Sequence, residues 1–374
     1  MATEYRINMK RYNGTDYDIM YPRTLIEQVT DGQRQIIVDT VSLGTSWTGT
    51  GPYTQVVTID GVDSDSKIDL QPDADVINKL MESGTTALYI VNDSGVATAV
   101  ALGAAPNAGL EIQCTITKTV AAPPPVLNSV LNENSWKAIK WASKNNVGQN
   151  YWAVGDCKQI TMNGKVSDGL TLSNYSAWVY IIGFNHNSER EGNGIAFQGF
   201  KVADKGTDVC LVDDGYEIDK TSGTWFNMNN TETNSGGWQA SLMRKNVMPL
   251  IKAAFPADLR AVIKPSTIFT TQGSGNGACT ATEDDVFLLA EYEVFGARTY
   301  ASTQEPNYLK QYSYYSAGNS KVKYRHNATV AAAFWWERSP GSDGTNYFCE
   351  VSKSGSNGYN SAVFSYGVPP CFKV

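Results

Sequence analysis

The plainest pattern in the chain is strict alternation. Leu110, Ile112, Cys114 and Ile116 alternate with Glu111, Gln113, Thr115 and Thr117. A period of two sends successive side chains to opposite faces, so this stretch predicts a strand with one face in a core and the other in water. Residues 36–43 and 53–59 read as further strands, parted by Thr45-Ser46-Trp47-Thr48-Gly49 and the Gly51-Pro52 break. Residues 87–91 and 96–102 read as a hairpin about Asn92-Asp93-Ser94-Gly95. Before that hairpin the period changes. Val76, Ile77, Leu80 and Met81 fall on one side of a short helix over 73–83, which Gly84 ends. Residues 34–120 are expected to form a small β-rich domain with one helix.

Ala121-Ala122-Pro123-Pro124-Pro125 opens a linker over 121–133, stiffened by three prolines that favour polyproline II. Beyond it, 134–374 is expected to be an irregular α+β domain with two main helices. The first runs over 133–145 with Trp136, Ile139 and Trp141, and stops at Asn145-Asn146 and Gly148. The second starts after Ser235-Gly236-Gly237, carries Trp238, Leu242 and Met243, and ends near Met248-Pro249. Pro256-Ala257-Asp258-Leu259 opens a further helical turn. Val154-Gly155-Asp156, 160–162 and 286–289 predict short strands, and the apolar run 177–184 predicts a strand buried on both faces. Upstream, Tyr5, Tyr12, Tyr17 and Tyr21 sit on two polar arms about Asn13-Gly14. Such arms make no core of their own, so 1–33 reads as a segment that docks on something else.

Composition narrows the function. Of 374 residues 42% are apolar and 18% charged, a globular balance that is low in charge. Twenty Tyr and nine Trp against 12 Phe favour aromatics with a polar tip, the kind enriched at interfaces. A net charge of −7 without a basic stripe argues against a nucleic-acid partner. The first residues lack the apolar stretch of a secretory signal, and no run is long enough to span a membrane. A soluble chain made in a cytoplasm, without membrane insertion, is expected. Cys114, Cys157, Cys210, Cys279, Cys349 and Cys371 are widely spaced, so buried free thiols are favoured over a disulfide framework. Cys349 with Cys371 is the pair to test first for a bridge.

Catalytic signals are weak. His186 and His326 are too few for a His-rich metal centre, and His186, in Gly183-Phe184-Asn185-His186-Asn187, is expected to bond the backbone of a turn. Gly273-Ser274-Gly275-Asn276-Gly277 lacks the Lys-Ser/Thr of a phosphate cradle and reads as a flexible loop. Asp213-Asp214 and Glu283-Asp284-Asp285 read as solvated turn charges. Glu305-Pro306-Asn307 matches a sugar-binding tripeptide of calcium-dependent lectins, but no Trp-Asn-Asp accompanies it, and the match is read as chance. No catalytic residue, metal ligand or cofactor is assigned, and a non-enzyme is expected.

The C-terminal tail is more informative. Trp335, Trp336, Arg338, Pro340 and Phe372, with Trp238 upstream, look like fixed anchors bracketing a stretch rich in Ser, Gly, Asn, Asp, Thr and Tyr. Those are the residues binding loops use, because Tyr gives large contact area at low entropy cost and small polar groups give adaptable hydrogen bonds. The candidate ligand-binding residues are Ser342, Asp343, Thr345, Asn346, Tyr347, Ser352, Ser354, Ser356, Asn357, Tyr359, Asn360, Ser365 and Tyr366.

The same residues carry a resemblance. Trp335-Trp336, Arg338-Ser339-Pro340, Gly367-Val368, Pro370 and Phe372 resemble the ending Trp-Trp-Leu-Arg-Ser-Pro…Gly-Val-Arg-Pro-Ala-Phe of a domain widespread in gut phages and bacteria. Val154-Gly155-Asp156, Ile182-Gly183-Phe184, Gly237-Trp238, Met243-Arg244 and Glu293-Val294 match it upstream, so the likeness covers about 134–374. It implies a C-type-lectin-like fold presenting variable side chains on a rigid frame. The start at Lys10-Arg11-Tyr12-Asn13-Gly14-Thr15 is similar to N-terminal parts of phage tail-fibre proteins. Glu337, Pro369 and Cys371 depart from the pattern's Leu, Arg and Ala, and Arg338 is left to pair with Glu337 or another carboxylate.

The resemblance implies a receptor-binding adhesin of the virion tail, assembled in the host cytoplasm. Residues 1–33 would join other tail proteins, the tail would grip a host-surface protein or glycan, and a homo-oligomer, most simply a trimer, would add avidity. Some tails of this kind are diversified by retroelements that change adenines in Asn-type codons. Within 342–366 only Glu350 and Lys353 lie outside the residues that process yields, so those two are expected to be fixed. One rival is a structural tail or decoration protein. The other is an enzyme on the fold of the formylglycine-generating oxidases, working through Cys349 and Cys371.

Overall fold

A computed structural model of the chain describes residues 9–12, 17–20, 32–121, 124–273 and 277–374. It divides into two compact units, Met1–Pro124 and Pro125–Val374.

The first unit holds two three-stranded antiparallel sheets. In one, Leu110–Ala121 lies between Gly32–Leu43 and Lys67–Gln71, with Val41 opposite Ile112 and Ile68 opposite Ile116. In the other, Val96–Gly103 lies between Tyr53–Val57 and Thr85–Asp93. Alternation puts Leu110, Ile112, Cys114 and Ile116 in one core with Val57, Ala97 and Ala99 of the second sheet. The helix Ala74–Ser83 is capped by Asp73, whose carboxylate accepts the Val76 N–H at 2.9 Å. Gly84 closes it at φ 75°, a left-handed turn that suits glycine. Of its four apolar positions only Val76 is buried, while Ile77 and Met81 stay 45% and 72% exposed. The two sheets already bury their inner faces in one core, so the helix docks by a narrow line and leaves a groove of about 420 Å³ beside Ile77, Leu80 and Met81. Strands Met9–Tyr12 and Tyr17–Met20 pair antiparallel. The Asn13-Gly14 turn, and most of 1–33, lies outside the described residues.

The second unit corrects the expected fold class. It is not a compact α+β domain with two main helices. Over the described residues of both units together, strands make up 40% and helices 19%, in many small sheets and eight helices, one of them the Ala74–Ser83 helix of the first unit. The expected first helix is Trp136–Lys144, capped by Ser135. The expected second is broken into Gly237–Ala240, a π-helical turn Met243–Val247 and Met248–Ala254. The break comes from an upstream residue: the N–H groups of Leu242 and Met243 both turn to the Met228 carbonyl, at 2.9 and 3.3 Å. Pro249 therefore begins a helix where an end was expected, in the first turn, where proline's missing N–H costs nothing.

The largest sheet runs Cys371–Lys373, Ile195–Lys201, Leu170–Phe184, Cys157–Ser167. Of its two interior strands, Leu170–Phe184 is fully buried from Val179 to Gly183, as a doubly covered strand must be. Val154-Gly155-Asp156 is a turn leading into Cys157–Ser167, and 286–289 contributes a single bridge, Phe287 to Cys371. Phe372 stacks on Phe197 at 5.4 Å, and Trp136 and Phe255 close edge-on around them. A second sheet, Trp335–Pro340, Tyr347–Val351, Asn357–Ser361, carries the tail.

Candidate functional site

The frame of the tail is deeply buried. Trp335, Trp336, Arg338, Trp238 and Phe372 have no exposed surface, and Pro340 is buried with them. Each indole N–H finds an acceptor: Trp335 the Lys321 carbonyl and Trp336 the Phe226 carbonyl, both at 2.9 Å, and Trp238 the Asp284 carboxylate at 2.9 Å. Arg338 pairs with Glu293 and not with Glu337. Two parallel bonds of 2.6 Å join guanidinium and carboxylate, and a third of 2.7 Å reaches the Leu288 carbonyl. Burial alone would raise the Glu293 carboxyl, but the guanidinium overrides it and holds the group below its ordinary value.

Two side chains that the sequence reading did not single out set the loops of the face. Asn234, buried, donates its amide to the carbonyls of Gly341, Gly344 and Tyr347 at 2.9–3.0 Å and so pins the 341–347 loop. Glu291, also buried, accepts the N–H groups of Thr299, Tyr300 and Ala301 at 3.0, 3.1 and 2.8 Å. That brings Tyr300 up to the hairpin. Its ring lies 4.8 Å from that of Tyr359, which lies 4.9 Å from that of Tyr347. Asn357 ties the same loop down with a 2.5 Å bond to Thr299 Oγ1, and Ser342 donates to the Tyr300 carbonyl at 2.9 Å. The only prior signal for Tyr300 was an aromatic residue in a polar turn.

The predicted ligand residues divide. Asp343, Thr345, Ser354, Ser356 and Tyr359 are exposed, and Ser342, Asn346, Tyr347, Ser352 and Asn357 are half-buried along the same strip. Gly355 forms the hairpin tip at φ 83°, and the hydroxyls of Ser352, Ser354 and Ser356 link around it. Ser365 and Tyr366 are corrections, since both are buried. Ser365 donates to Asp213 at 2.7 Å, and Tyr366 stacks against Phe334, Phe364 and Trp336. Half-buried Asn360 spends its amide on the Tyr366 hydroxyl at 2.5 Å. Glu350 is buried, and Lys353 pairs with Glu217 at 2.5 Å over the Phe334 ring. Both make contacts within the protein.

Several acids are far from solvated. Asp213 accepts the Phe226 and Gly215 N–H groups, Asp284 binds Trp238 and Arg244, and Glu305 is wholly buried, which corrects the reading of the first two as turn charges. Neither oxygen of buried Glu337 has a hydrogen-bond partner. Burial, then the nearby Glu291 and Glu350, push its carboxyl well above the carboxylate range. Burial likewise raises Glu305 to about 7 and Glu350 to about 8.

All six cysteines are free. Cys349 and Cys371 lie in different sheets, and burial raises both thiols, so neither a bridge nor a ready thiolate is present. His186 does not bond a turn backbone through Nε2, which has no hydrogen-bond partner and lies 3.9 Å from a Glu191 oxygen. It stacks on Tyr312 at 3.5 Å, and burial lowers its value to about 3. With Glu191 and Glu293 it forms the one cluster of metal-ligand spacing found among the described residues. Lys373 at 2.6 Å from Glu191, and Arg338 on Glu293, already neutralise those carboxylates, so a cation there would add buried charge. The 273–277 loop lies partly outside the described residues.

Residues 209–374, which hold the whole tail, match a family model described as a domain of unknown function (DUF6273). No curated protein and no solved structure matches the chain.

Proposed function

We propose that the chain is a receptor-binding adhesin of a phage tail fibre, and that the Tyr300–Tyr347–Tyr359 strip is its ligand-binding face. One observation carries this reading: a strip of exposed and half-buried Tyr, Ser, Thr, Asn and Asp side chains stands on a frame with no exposed surface. A rigid frame lowers the ordering cost of binding, and Tyr supplies area with few rotors to freeze. The burial of Glu350 and the pairing of Lys353 with Glu217 support a division of the tail into frame and changeable positions. The ligand is a host-surface protein or glycan, and the virion tail is the site of action. In the first unit, Val56, Tyr89, Val91, Val96 and Leu102 leave an apolar sheet face 38–72% exposed, which supports assembly with further copies.

Host-cell adsorption of particles carrying Tyr347→Ala with Tyr359→Ala is the test. Lost adsorption with intact particles is expected. Unchanged adsorption would favour the structural or decoration reading, in which the apolar sheet face alone does the work.

A further inference from the structure

Acidic groups flank the tyrosine strip, and the cations nearest to it are engaged in contacts within the chain. Asp343 is exposed at its rim, joined through the Ser342 hydroxyl, which lies 3.2 Å from Asp343 Oδ1 and 2.9 Å from the Tyr300 carbonyl. The Glu291 carboxylate sits under the Tyr300 backbone. Beyond Arg338 the chain has two cations, Lys353 and Lys373. Lys373 is buried on Glu191, and Lys353, at the hairpin tip, is held by Glu217. Arg298, next to the strip and exposed, turns one guanidinium nitrogen back to the Ala301 carbonyl at 3.2 Å. The rings are also tilted. Tyr300 and Tyr347 stand at 63° and 58° to Tyr359, so they form a ridge with no broad flat platform for a sugar ring.

Ring faces carry negative charge density and attract ammonium and guanidinium groups. An exposed carboxylate beside them strengthens that preference and supplies a charge-assisted acceptor. Resting on the reading of this strip as the binding face, we propose that it receives a basic side chain, an Arg or Lys of a protein ligand. The cation lies against Tyr300 and Tyr359 and donates to Asp343.

The test uses the full chain with ¹³C-labelled tyrosine rings, assigned through Tyr300→Phe and Tyr359→Phe. N-acetyl-arginine amide, its uncharged analogue N-acetyl-citrulline amide and a methyl glucoside are each titrated in, followed by NMR. The arginine compound should shift the Tyr300 and Tyr359 signals at several-fold lower concentration than the citrulline compound, and Asp343→Asn should remove most of that difference. Equal shifts from both, or shifts from the glucoside alone, overturn the proposal. Adsorption separates this from the parent reading. If Tyr359→Ala abolishes adsorption while Asp343→Asn and the arginine titration do nothing, the basic contact is wrong and the binding face stands. If Tyr359→Ala leaves adsorption intact, the face itself is wrong.

Discussion

Arg338 is the side chain with the most to lose. Replacing it by Met strands the buried Glu293 carboxylate, and one unpaired member of such a pair costs about 3–5 kcal/mol. Urea melts of Arg338→Met should show a loss of that order, and Arg338→Lys should recover part of it because a single ammonium cannot make both parallel bonds. Glu337 is the opposite case. Its carboxyl is buried without a partner, so Glu337→Leu should stabilise by about 1–3 kcal/mol. The same variant reports on pH. A carboxyl raised in the folded chain keeps its proton after the unfolded chain has lost it, so its stabilising effect is complete below the unfolded value and lost as pH rises through the folded one. For Glu305 and Glu350 that window runs from the ordinary carboxylate range to about 7 and about 8. His186 and His326, lowered by burial to about 3 and about 4, act oppositely and lose stability as pH falls below the ordinary imidazole value. The urea midpoint should therefore be lower at pH 9 than at pH 6, and Glu337→Leu should narrow the gap. The anchors were legible at this scale because adjacent indoles, and an Arg just after them, have few places to go. The partner of Arg338 was not, since Glu293 lies 45 residues away and only folding brings it near.

Among elements, the hairpin Tyr347–Val351 with Asn357–Ser361 depends on contacts made outside it. Asn234→Ala removes the amide that holds three carbonyls of the preceding loop. Faster hydrogen exchange at 341–347 is expected, with a loss of about 1–3 kcal/mol measured by urea. Elements that follow one period over their length were readable, as in Leu110–Ala121 and the Val179–Gly183 interior. Lys67–Gln71 escaped notice because two apolar residues, Ile68 and Leu70, are too few to set a period. The broken helix after Gly236 was misread for a related reason. Its apolar spacing is helical throughout, and the interruption comes from a carbonyl at Met228, which no local pattern reveals. Ser365 and Tyr366 were placed on the face by composition, whereas the bridges of this segment to Tyr216 and Asp219 turn it inward.

At the level of the molecule, the first unit presents what a monomer seldom leaves in water. Five large apolar side chains lie on one outer sheet face, Val56 the most open at 72%. Light scattering of the full chain should give the mass of a trimer, and Val56→Asp with Val91→Glu should lower it to that of one chain. The expected fold class gave the second unit too much helix, because its strands are short and separated by long connections. The hairpin's two-sidedness also bears on inheritance. Outward positions such as Ser354 and Ser356 touch little of the interior, so, on the proposed reading of this face, lineages differing there would share one melting curve while parting company in what they capture. Novelty of recognition would then accumulate with no toll on folding.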